Sequence, residues 1–182
     1  MKINSPLEIK ENFPIKTVKM HVLVHPGYME DVMSRDPENV VIGEDLFKKY
    51  KILAQGLPSN EILIVLIHNN PKRFSKDYRE GKKYVKNIKT IQEALPKNKQ
   101  VIILTSLTVP FSGADKKDDN EALDKIKLIA QNRGYEINPE TIVEIFGETQ
   151  GECVQEAFLG ITNADFFNQG NIHIVKELTD KA

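Results

Sequence analysis

The chain has 182 residues, 40% hydrophobic and 28% charged, with a formal charge of −1. That is enough to bury one substantial core without metals or disulfides, and it offers no bulk field for nucleic acid or anionic lipid. A single cysteine rules out an internal disulfide, and no run reaches the roughly 18 apolar residues of a membrane span. A soluble, cytoplasmic, single-domain protein over 1–182 is the expectation.

The N-terminus, "MKINSPLEIKENFPIK", lacks the apolar stretch of a secretory signal. Ser5 as N-cap, Pro6 at the first helical position and Glu8 as box partner predict a short helix within an extension over 1–17. The first apolar, β-branched run is "VKMHVLVH" (18–25). It ends in "HPGY", followed by the longest connection without a clear helix, 26–43. Leu46, Phe47, Tyr50, Leu53, Ala54 and Leu57 then fall on one helical face before "GLP". "EILIVLIH" (61–68) is the second strand run and leads into "HNN".

The segment 72–89 carries eight basic residues against two acidic. Its Tyr84 starts a stripe with Val85, Ile88, Ile91 and Leu95 that stops at Pro96. The lysines fall on the opposite face, so a solvated helix surface is expected and a nucleic-acid partner is not. "QVIILTSLTV" (100–109) is the third run. Asp118 or Asp119 caps a third helix, whose stripe is Ala122, Leu123, Ile126, Ile129 and Ala130 and whose stop is Gly134. "ETIVEIFG" (140–147) is the fourth run, and Val154, Ala157, Phe158 and Ile161 mark the fourth helix. "NIHIVKEL" (171–178) alternates, which suits an edge strand.

Nearly continuous Val, Ile and Leu in these runs, alternating with helices, indicate an α/β fold. We expect a three-layer, Rossmann-like sandwich with a mainly parallel sheet of about five strands and helices on both faces. Right-handed crossovers put all strand C-termini at one edge, where ligands bind at the point of strand-order reversal. The residues just past the strands are therefore the candidates. Gly27, Tyr28, Asn69, Ser106 and Thr149 are candidate ligand-binding positions, for a small-molecule substrate or ligand.

Cys153 stands where a strand turns into a helix, in "GETQGEC" (147–153). A thiol in the first helical turn is favoured as thiolate by the helix dipole, and free N–H groups there can hold an oxyanion. His25 or His68 would be the base, with Glu148 orienting a histidine. Cys153 packing as a small apolar residue is the alternative. With strand runs ordered 3-2-1-4-5, the first and fourth strands are neighbours about 4.8 Å apart and the His25 loop faces the Cys153 loop; with order 2-1-3-4-5 another strand intervenes. His21 and His173 lie within strand runs and are expected to be structural. No calcium, zinc or nucleotide motif is present, so neither metal nor cofactor is expected.

The stretch "IVEIFGETQGECVQEAFLGITNADFFNQGNIHIVKEL" (142–178) resembles the C-terminal part of isochorismatase-like cysteine hydrolases. Gly147, Cys153 and Val154 carry the likeness. The resemblance implies a parallel sheet between helices and Cys153 as nucleophile. The family expects an aspartate after the first strand and a lysine after a middle strand, whereas "LVHPGY" and "LTSLTVP" have neither. Activity would then need a histidine in the aspartate's place. Two classes stay open: a small cysteine-dependent hydrolase, or a non-catalytic module binding a protein or small ligand at the same edge. Near-zero net charge permits a homo-oligomer.

Overall fold

The computed structural model describes residues 14–26, 37–68, 91–106, 111, 113–148 and 153–179. Its elements are β1 (Ile15–Lys16), β2 (Lys19–Val24), α1 (Pro37–Gln55), β3 (Glu61–His68), β4 (Val101–Ser106), α2 (Lys116–Asn132), β5 (Tyr135–Glu136), β6 (Ile142–Gly147), α3 (Gln155–Asn163) and β7 (Ile172–Thr179). Residues 91–94 are also helical, and that turn closes just ahead of Pro96, which has no N–H to continue the helix.

Five strands form one sheet in the order β4-β3-β2-β6-β7, with every neighbouring pair parallel. In the order of the five sequence runs this is 3-2-1-4-5. The continuous apolar runs are explained by burial on both faces. Met20, Val22, Val24, Ile62, Ile64, Leu66, Val143 and Ile145 belong to one core. Leu23, Leu63, Val65, Ile67 and Phe146 belong to the other. α2 and α3 cover the first face through Leu123, Ile126, Ala130, Val154, Ala157 and Ile161. α1 and the turn at 91–94 cover the second, through Leu46, Tyr50, Ala54, Ile91 and Leu95. Each fully buried Val, Leu, Ile, Met or Phe among these contributes about 1.5–3 kcal/mol of transfer free energy. The result is the expected three-layer α/β sandwich, with β7 at an edge.

Two expectations are corrected, and a short strand is added at the end of the N-terminal extension. The extension over 1–17 ends in a strand: Ile15–Lys16 pairs in parallel with Tyr135–Glu136 as a second, two-stranded sheet. It is fixed by Ile15 N–H donating to the Gly134 carbonyl at 2.7 Å and Thr17 N–H to Glu136 at 2.8 Å. The predicted helix at Ser5–Glu8 lies outside the described residues. α1 begins at Pro37, so the second part of the 26–43 connection is helical. Pro37 at the first helical position needs no partner for an N–H it lacks, while the β-branched Val40 and Val41 and the mid-helix Gly43 weaken the helix signal there. The N-cap of α2 is Asp115, whose carboxylate accepts from Lys117 N–H at 2.8 Å. Asp118 and Asp119 occupy the first turn instead, and Asp119 is fully buried.

Candidate functional site

The chain leaves β2 to build β3 and β4 on one side, and returns to build β6 and β7 on the other. α1, after β2, packs on the second face; α3, after β6, packs on the first. The helices that follow β2 and β6 therefore lie on opposite faces, and strand order reverses between these two strands, the position at which open α/β sheets bind ligands.

Backbone geometry makes this point unusual. Val24 and Gly147 are register partners. Gly147 has φ 137°, and a Cβ on it would run into the carbonyl oxygen of Val24. Only glycine combines that conformation with so close an approach. One residue on, His25 has φ 48°, a left-handed conformation that costs a non-glycine residue about 1–2 kcal/mol. His25 N–H donates to the Leu66 carbonyl at 3.0 Å, and Glu148 N–H donates to the Val24 carbonyl at 3.0 Å. These are the last rungs of the sheet ladder on either side of β2, so the His25 and Glu148 backbones stand on adjacent strands.

Their exposures are 1% for His25 and 0% for Glu148. Both engage neighbouring groups. Ionisable side chains are rarely buried this far without a specific reason. Cys153 is 7% exposed and enters the chain as a π turn, residues 153–154, that opens α3. It belongs to the apolar cluster of the first face, with Val154, Ala157 and Phe111. The sequence places the thiol at this helix start, and the strand order sets β2 and β6 side by side.

The other candidates spread along the same edge. His68 ends β3 as register partner of Ser106, which ends β4. His68 lies two residues beyond Leu66, the partner of Val24, so it stands further out on the far side of β2 from Glu148. Gly27, Tyr28, Asn69 and Thr149 lie outside the described residues, as does the basic segment 72–89. No group of His, Cys, Asp and Glu suited to hold a metal ion occurs among the described residues. No helix among them is long and apolar enough to cross a membrane.

No protein-family model, curated protein or solved structure matches this chain. The reading of the site therefore rests on its own residues.

Sequence reasoning missed a second polar constellation, in the opposite half of the sheet. His21 Nε2 lies 2.7 Å from Glu61 Oε2, and His21 Nδ1 lies 3.2 Å from Glu144 Oε2. Glu144 also pairs with Lys19 Nζ at 2.7 Å. Glu144 stands directly across from His21 in register, and Phe146 presents a ring edge to His21 at 6.2 Å between centroids. The structural role expected for His21 fits this ion-paired row. The available signal was a polar residue inside each of two otherwise apolar central runs, His21 in the first and Glu144 in the fourth. Beside the row lies an open groove of about 530 Å³, walled by Ile52, Leu53, Leu57, Pro58 and Leu178 with His21 and Glu61 at its polar end.

Proposed function

We propose that this protein is a small cysteine-dependent hydrolase acting on an amide or ester of a small molecule in the cytoplasm. The observation that carries the reading is the burial of His25 and Glu148 on adjacent strands at the strand-order reversal, beside the connection that leads to Cys153. Burying two ionisable groups, and holding one in left-handed backbone, costs stability, and such costs concentrate at functional sites.

In this reading the Cys153 thiol gives its proton to His25, and its sulfur attacks the substrate carbonyl carbon. The carbon–heteroatom bond breaks, and the amine or alcohol leaves with the proton from His25. Water then attacks the thioester, His25 taking its proton and returning it to the departing sulfur. Glu148 orients the imidazole. The isochorismatase-like resemblance belongs to the same proposal, with His25 in place of the family's aspartate. A second reading, a non-catalytic binding module, is favoured by the apolar surroundings of Cys153.

The test is a panel of activated esters and amides, p-nitrophenyl acetate first, followed by intact mass. Asparagine tolerates the left-handed conformation at position 25, so His25→Asn removes the base with the least backbone cost. The expected results are an acyl adduct on Cys153, turnover abolished by Cys153→Ala, and a loss of about 10²–10⁴-fold in His25→Asn. Turnover that survives Cys153→Ala, or no adduct with any member of the panel, would overturn the hydrolase reading and leave the binding module.

A further inference from the structure

We propose that α1 is a homodimer interface, packing antiparallel against α1 of a second copy about a twofold axis on its outward side, level with the midpoint between positions 46 and 47. The outward face of α1 carries Val41 and Ile52, 66% and 69% exposed, while Leu46, Tyr50 and Ala54 turn into the core. At 100° per residue, positions 41, 45, 48 and 52 lie within about 60° of arc and make one straight stripe. The stripe reads Val41, Asp45, Lys48, Ile52, with Glu44 and Lys49 exposed on its two flanks.

That pattern is its own complement when reversed. The twofold sets Val41 against the partner's Ile52 and Asp45 against the partner's Lys48. On the flanks it brings Glu44 towards the partner's Lys48, and Lys49 towards the partner's Asp45. The intrahelical pair Lys49–Asp45, 3.0 Å apart in one chain, leaves a carboxylate oxygen for the second contact. A parallel pair in the same register would instead set acid on acid and base on base, so the charges fix the orientation. The apolar groove beside Ile52 opens where the partner's Val41 arrives. An unrelated protein partner would need no such self-complementarity, whereas an isologous interface requires it. One helix pair buries less than the roughly 1,200 Å² of a stable complex, so the dimer is a weak one.

Sedimentation velocity of the full chain, from about 1 μM to about 1 mM, is the measurement. The expected result is a concentration-dependent dimer. Glu44→Lys with Asp45→Lys, and separately Lys48→Glu with Lys49→Glu, should each weaken it at least about tenfold, by about 1.4 kcal/mol. Mixing the two variants should restore a 1:1 heterodimer, which neither could form if it were misfolded. Ile52→Asp, a change at an exposed position, should give a monomer with the wild-type urea midpoint. A chain that stays monomeric throughout, a dimer indifferent to both charge reversals, or folded variants that fail to pair on mixing would each overturn the proposal.

Discussion

Gly147→Ala perturbs the point on which both the sheet and the proposed site depend. Two costs add. Placing a side chain at φ 137° forces strain of about 1–3 kcal/mol. The new methyl group also meets the Val24 backbone, and Val24 ends the central strand, which is hydrogen-bonded on both sides. Overpacking against such a wall costs about 1–3 kcal/mol more. The sum, about 2–6 kcal/mol, is a large part of a typical total stability of about 5–15 kcal/mol. With a urea m value of about 2 kcal/mol/M, the unfolding midpoint should fall by about 1–3 M. Two other glycines separate the contributions. Gly134 has φ 85° but nothing within 4 Å of an added Cβ, so alanine there adds only the conformational cost. Gly170 has neither a positive φ nor a neighbour within 4 Å, so alanine there should be near neutral. A Gly147→Ala midpoint equal to that of Gly134→Ala would refute the close approach of β2 and β6.

Two further outcomes follow from the same structure. Burial raises the Tyr135 phenol above its ordinary 10.0, so the folded state keeps the proton to higher pH than the unfolded chain. Stability is then whole below pH 10 and declines as pH rises from there towards the folded-state value. In Tyr135→Phe that alkaline decline, followed by urea titration, should shrink. At neutral pH the change should be neutral or slightly stabilising, because the buried hydroxyl has no hydrogen-bond partner among the described residues. Glu144→Ala strips a partner from both Lys19 and His21; with Glu144 about a quarter exposed, a loss of about 1–3 kcal/mol is expected, or about 3–10 °C in Tm.

How much of this was legible in the sequence differs by element. The five strand runs were readable because strands buried on both faces leave nearly unbroken Val, Ile and Leu, and "EILIVLIH" matches β3 residue for residue. The stripes of α2 and α3 were readable because each has one side on the sheet. The start of α1 was not, since its outward face carries Val41 and Ile52, which blur the polar–apolar contrast. If the dimer forms, those residues are apolar for a reason that a single chain cannot display. Strand order is not encoded in any local pattern: both 3-2-1-4-5 and 2-1-3-4-5 satisfy the same runs, and only tertiary packing selects one. The proximity of the His25 and Glu148 backbones was therefore conditional until the order was known. Cys153 could be placed at a helix start from sequence, but its apolar surroundings include Phe111, distant along the chain. The ion-paired row around His21 joins three strands separated by 40 and more residues, too far for any motif to reveal.

The most direct test of the central claim is the rate of Cys153 alkylation by iodoacetamide in the native protein, followed from pH 5 to pH 10 and compared with the urea-unfolded chain. An activated nucleophile reacts at neutral pH without unfolding, and its rate titrates well below the thiol reference of about 8.5. A thiol that reacts only as fast as the chain unfolds, with the pH profile of the unfolded chain, would contradict the account and make Cys153 a packing residue of the first-face core.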